Sequence, residues 1–131
     1  MAAKENIDLV NQLFAGFGSG NIDSVLSVLS HDISWESPPM DNFLGGTHTG
    51  HDGVRKFISN IYQNLQVLQF QALEFIADSD NVVVLGYDKS TYKSTGLTYE
   101  TNWIQVYTIT NGKISRMREQ YDTAAVLAAL K

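Results

Sequence analysis

The feature that most constrains this chain lies in its last third. Thr98 to Ile109 reads as a long strand, Asn111-Gly112 interrupts it, and Ile114 to Asp122 resumes the alternation. Asn-Gly between two such runs predicts a β-hairpin, because both residues tolerate the positive φ that a two-residue turn demands. The period then changes. Asp122-Thr123-Ala124-Ala125-Val126-Leu127-Ala128-Ala129-Leu130 has helical spacing, with Asp122 placed to accept from the orphan N–H groups of a first turn. A long hairpin that ends in acids and runs straight into a short helix leaves few architectures open.

The earlier segments narrow them further. Ile7, Val10, Leu13, Phe14 and Phe17 form one stripe of an amphipathic helix ending near Gly18-Ser19-Gly20. Asn21 is placed to cap a second helix carrying Ile22, Val25, Leu26 and Leu29. Ile33, Trp35 and Pro38-Pro39 suggest a brief strand that stops abruptly, and a loop from Met40 to Gly50 follows. Asp52 is expected to cap a third helix through Val54, Phe57, Ile58, Ile61 and Tyr62. Strands are expected at roughly 67 to 77, 82 to 93 and 97 to 110, before the return strand. The fold class is therefore α+β: three N-terminal helices packed on one face of a strongly bent, mostly antiparallel sheet, with a short C-terminal helix.

Residues 1–131, 44% of them apolar, are read as a single domain closing a single core. The net charge is −5, from 14 acids and 9 bases without a basic run, which argues against a nucleic-acid partner. Cysteine is absent, excluding disulfides and thiolate chemistry. No run approaches the ~18 apolar residues of a membrane span, and the first residues lack a signal-like pattern. Neither membrane nor export is expected, and the cytoplasm is the expected compartment. Tyr99, Trp103, Gln105, Tyr107 and Ile109 alternate with Glu100, Asn102, Ile104, Val106 and Thr108, so both strand faces carry apolar groups. Helices cover one face. A second copy of the chain is the simplest cover for the other, and a homodimer through the sheet is expected.

Among ionisable groups, Glu119 shares a strand side with Met117 and Tyr121. If that side faces the helices, desolvation raises its pKa and suits it to proton transfer near neutral pH. The alternative is a partner base on a solvated face. Helix capping explains Asp122, with a functional role as the alternative. Glu74 shares a nominal face with Leu68, Phe70, Ala72 and Ile76, unless a bulge turns it to water. His48, His51 and Asp52 cluster in sequence, but His31 is the only other histidine, so no metal site is expected. His48 is a candidate for binding a ligand at a cavity mouth and joins Glu119 as a candidate catalytic residue. Trp35, Tyr62, Tyr87, Trp103 and Met117 suit the enclosure of a flat apolar organic molecule, with the amide of Gln105 fixing a carbonyl. An ordinary core uses the same residues. No glycine-rich strand-to-helix loop is present, so no nucleotide cofactor is implied, and Ser37 lacks a nucleophile-elbow context.

Several stretches together resemble the NTF2-like superfamily, within it the SnoaL-like or ketosteroid-isomerase-like group. They are Gly20-Asn21-Ile22-Asp23, Ile33-Ser34-Trp35, Gly46-Thr47-His48-Thr49-Gly50-His51-Asp52-Gly53-Val54, Trp103 to Tyr107, Asn111-Gly112-Lys113-Ile114 and Arg118-Glu119-Gln120-Tyr121-Asp122-Thr123-Ala124. The resemblance implies a cone-shaped α+β fold. Steroid isomerases of this group carry a base Asp where Ser37 stands, a Tyr near Leu13 or Phe14, and a protonated Asp near Ile104 or Gln105, so that mechanism is not expected. Epoxide hydrolases of the superfamily use an Arg-x-Asp pair and a last-strand acid. Glu119 and Asp88 match the acids, but Gly86 replaces the Arg. SnoaL-type cyclases need little beyond an acid in an apolar cavity and stay compatible. The function the resemblance implies is a small-molecule-binding protein, with cofactor-independent acid–base catalysis of the isomerase or cyclase type on an apolar organic substrate as its enzymatic form. The alternatives are a non-catalytic ligand carrier and a dimerisation module.

Overall fold

The computed structural model describes residues 2–131. The chain runs α1 (Ala2–Gly18), α2 (Ile22–Ser27), β1 (Leu29–Glu36), β2 (Thr47–Thr49), α3 (Gly50–Asn64), β3 (Leu65–Asp78), β4 (Asn81–Tyr92), β5 (Thr98–Thr110), β6 (Lys113–Tyr121) and α4 (Thr123–Ala128). The six strands form one sheet in the order β2-β1-β6-β5-β4-β3, with helices on one side: an NTF2-like α+β cone.

Local chemistry sets the end of the chain as expected. Asn111 and Gly112 take φ of 51° and 77°, the left-handed pair of a tight hairpin turn, and Thr110 pairs with Lys113 across it. Asp122 caps α4, its Oδ1 accepting from the Ala125 N–H at 3.1 Å. Asn21 caps α2 in the same way through Ser24 N, at 3.1 Å.

Other expectations are corrected. Leu29 opens β1 instead of closing α2, and β1 is no brief stub but eight residues lying parallel to β6. The segment read as a loop holds β2, antiparallel to β1. Asp52 does not cap α3. The helix starts three residues earlier, with Thr49 at the cap position making no side-chain bond, because β2 turns directly into it through Gly50 at φ +72°. Asp52 lies in the first turn, where its carboxylate faces the positive end of the helix.

Two irregularities bend β3. Its register with β4 skips Leu68 and Leu73, so each is the extra residue of a bulge. The second bulge shifts the strand's parity: Phe75 turns inward against the core, and Glu74 turns out to water. Glu74 is thereby removed from any interior site.

The core lies between the sheet and the helices. Val10 and Leu13 of α1, Val54 and Ile58 of α3, and Val84, Tyr107, Ile114 and Met117 of the sheet are buried in it. Each fully buried aliphatic side chain contributes about 1.5–3 kcal/mol relative to exposure. A smaller cluster of Leu44, Leu65, Tyr92, Tyr99, Val126 and Ala129 sits under α4 and the loop after β1. The opposite face of the sheet is open: Ile104 is 47% and Ile76 48% exposed.

Candidate functional site

Strand parity places the site. The inward residues of β5 are Tyr99, Thr101, Trp103, Gln105, Tyr107 and Ile109, all buried. Gln105 pairs with Glu119 of β6, so both side chains project to the same interior. There they line a cavity of about 90 Å³ together with Phe14 of α1, Trp35 of β1, Phe57 of α3 and Trp103 of β5. A wider pocket of about 370 Å³ lies beside it, between α1, α3 and β3. Phe14, Phe17, Leu65, Val67 and Phe70 line both.

Glu119 is held from two sides by neutral donors. Ser37, just past the end of β1, donates from Oγ to Oε1 at 2.5 Å. Gln105 donates from Nε2 to Oε2 at 2.9 Å. The Tyr107 hydroxyl donates to Gln105 Oε1 and so fixes which end of the amide faces Glu119. Ser37 is itself anchored, since its N–H donates to Gly46 O at 3.0 Å and Gly46 N–H donates to Pro38 O at 3.1 Å. Desolvation raises the Glu119 pKa, and the charge of Asp88 adds to the rise. The bonds from Ser37 and Gln105 offset part of it. Tyr107, fully buried, is raised far beyond the ordinary tyrosine range, so it acts only as a hydroxyl.

Asp88 of β4 is a second acid on the same cavity wall. Its Oδ1 accepts from Ser90 Oγ at 2.8 Å and its Oδ2 from Tyr99 OH at 3.1 Å. Burial raises its pKa and these two bonds lower it. Between the two acids lie stacked rings: Phe70 lies on Trp103 with centroids 4.9 Å apart and planes 18° from parallel. Gly86 makes room for that stack. A Cβ there would collide with the Trp103 ring and with Gln71 O. The position matched to the arginine of epoxide hydrolases is therefore filled by an indole, and no longer side chain fits it on this backbone.

Of the residues singled out from the sequence, Glu119, Trp35, Trp103 and Gln105 meet at this cavity. Tyr62 lines the wider pocket instead, its hydroxyl donating to Phe17 O at 2.6 Å. Three expectations are corrected. Tyr87 lies on the outer face, bonded to Glu100, because the inward residues of β4 are the even-numbered ones from Val82 to Tyr92. Met117 is wholly buried in register with Tyr107 and Trp35, a core residue that does not line the cavity. His48 pairs with Trp35 across β1 and β2, and its ring packs 4.7 Å from Phe57, which lines the cavity where His48 does not. Burial lowers the His48 pKa, and Lys56 lowers it further, against a bond to the Gly45 backbone. His51 meets Leu29 O at 3.0 Å. Among the described residues no group of three His, Cys, Asp or Glu stands close enough to hold a metal.

Sequence reading missed the supporting residues. Ser37 carried a signal, since it stands where the steroid isomerases have their base, yet its role here is to bond an acid contributed by another strand. Tyr107 and Ser90 carried none, because an inward polar group on a long strand is visible only once its partner is placed.

A bent mixed sheet with helices on one side, and an acid carried into the interior by the last strand, define the class as an NTF2-like cone. The model of the SnoaL-like domain matches residues 10–117, and the chain belongs to that family. It is similar to an NTF2-like protein from Burkholderia xenovorans LB400, at 29% identity over 98% of each chain and a TM-score of 0.91. It is also similar to TerC co-crystallized with polyporic acid, at 31% identity over 96% of this chain and 98% of that one, TM-score 0.87. A hypothetical protein with a ketosteroid isomerase-like fold from Catenulispora acidiphila DSM 44928, in complex with trimethylamine, shares the fold alone. It is 14% identical over 92% of this chain and 90% of that one, TM-score 0.78. No curated protein matches the chain. Among the described residues no helix is long and apolar enough to cross a membrane.

Proposed function

We propose that this chain binds a small, largely apolar organic molecule and carries out cofactor-independent acid–base chemistry on it, of the isomerase or cyclase type. Glu119 is the proton-transfer group. The observation that carries this reading is a carboxyl facing an apolar cavity, held only by the neutral donors Ser37 and Gln105. Below its raised pKa the acid is neutral and can give a proton to a substrate oxygen. Once ionised, it is stabilised by the same two bonds and can take a proton from carbon. Tyr107 keeps the Gln105 amide oriented through both states. A solved relative with a small organic molecule bound supports the use of such a cavity for ligands.

The test uses 5-nitrobenzisoxazole, a flat apolar probe whose ring opens when a base removes its carbon-bound proton. The chain should accelerate opening over buffer, with a rate that rises with pH along the titration of Glu119. Glu119→Gln should abolish the acceleration. No acceleration, or an equal rate in Glu119→Gln, would count against proton transfer and favour a non-catalytic carrier.

The open sheet face supports a homodimer. Ile76, Val83 and Val106 lie in register across β3, β4 and β5, and Leu85 pairs with Ile104 beside them. Together they make an apolar strip of the kind that monomers rarely leave uncovered. Light scattering should give twice the chain mass, and Ile104→Lys should halve it while leaving the circular dichroism unchanged. A monomeric parent would refute the pairing.

A further inference from the structure

Two acids line the cavity. Among the described residues that line it, Asp88 and Glu119 are the only ones bearing a carboxyl, and no Lys, Arg or His stands with them. Each carboxyl is bonded by neutral groups alone: Ser90 and Tyr99 on Asp88, Ser37 and Gln105 on Glu119. The titratable groups that sense Asp88 are Tyr87, Tyr92, Tyr99, Tyr121 and Glu119, none of which brings a positive charge. Lys89, next in sequence, belongs to the opposite face of β4.

A carboxylate removed from water is ordinarily compensated by an opposite charge within about 4 to 6 Å. Among the described residues that line the cavity, none supplies one. Around Asp88 the cavity offers the rings of Tyr99, Tyr121, Phe70 and Trp103, whose faces are negative and attract cations. Asp88 pairs with Thr101 and Glu119 with Gln105, four positions apart on β5, or about 13 Å of strand. The two polar groups therefore sit at separate ends of an aromatic enclosure.

We infer that the cavity takes an organic ammonium ion, an amine carried on an apolar or aromatic body, with Asp88 as its counter-ion and the surrounding rings facing its charge. The body extends past Trp103 toward Glu119. This rests on the reading of the cavity as a ligand site and not on proton transfer by Glu119.

The test compares three probes of one shape at neutral pH by titration calorimetry: benzylamine, which is charged, benzyl alcohol, which is neutral, and benzoate. Benzylamine should bind at least tenfold more tightly than benzyl alcohol, and benzoate not at all. Asp88→Asn should bring the amine to the level of the alcohol. Benzyl alcohol binding as well as or better than benzylamine would overturn the inference and leave the cavity a ligand site. Binding of neither would overturn both. An amine preference that survives in Asp88→Asn would overturn the role of Asp88. The comparison in the unaltered protein needs no variant to fold.

Discussion

Gly86 to Ala is the smallest change that tests how the cavity wall is assembled. Ordinarily the exchange favours a strand, since glycine there is about 0.5–1 kcal/mol worse than alanine. Here the added methyl would meet the indole ring of Trp103 and the backbone oxygen of Gln71, both closer than any real Cβ contact. The ring cannot swing freely. It is stacked on Phe70 at 4.9 Å and packed against Phe14 at 6.1 Å. Gln71 O belongs to the ladder between β3 and β4, in which Gln71 pairs with Tyr87 and Ala72 with Gly86, so relief on that side parts two strands. Overpacking of this kind costs about 1–3 kcal/mol, and the backbone contact places it toward the upper end. The steric term exceeds the propensity gain, giving net destabilisation of about 1–2 kcal/mol. For a chain of this length each kcal/mol lowers Tm by about 4 °C. Calorimetry of Gly86→Ala should thus show a fall of roughly 4 to 8 °C, with a shift in tryptophan emission as Trp103 moves. Replacing Trp103 by Leu in the same chain should recover part of the loss, because the two sites touch. An unchanged or raised Tm would refute the packing argument, and with it the reason no arginine can stand at this position.

Two further outcomes follow from the same structure. The Glu119 pKa is raised on folding, so the folded chain holds more protons than the unfolded one, and stability falls as pH climbs from the ordinary carboxylate range to the raised value. The slope approaches about 1.4 kcal/mol per pH unit within that window. Glu119→Gln should be flatter there and more stable above it in urea titrations, and parallel curves would contradict this. Asp122→Ala removes the cap of α4, which holds buried Val126 over the smaller cluster. A loss of about 0.5–2 kcal/mol is expected by urea denaturation, and no loss would show that packing alone holds the helix.

What could be read from the sequence was whatever local chemistry decides. Asn111-Gly112 dictates its turn, Asn21 and Asp122 dictate their caps, and the long strands lie within about two residues of their expected bounds. The parallel pairing of β1 with β6 joins residues some eighty positions apart and leaves no local trace. Parity was the main source of error at the site. Val82-Val83-Val84-Leu85 is apolar on both faces, so nothing in β4 told Tyr87 from Asp88, and the sheet sent the first outward and the second in. Bulges defeat alternation outright, as Leu73 does for Glu74. His48 was misplaced because a three-residue strand carries too short a pattern to recognise. The company of Met117 and Tyr121 was legible for Glu119, but whether that side faced the helices or water was left open, and Ser37 lies beyond the end of β1 and reaches it only through the fold.

The measurement that bears most directly on the account is the titration of the Glu119 carboxyl carbon by NMR, assigned by its loss in Glu119→Gln. A midpoint well above the ordinary carboxylate range, lowered when Asp88 is made neutral in Asp88→Asn, is the predicted result. A midpoint in the ordinary carboxylate range, unmoved by that change, would mean that the acid is solvated and that the cavity holds no tuned proton donor.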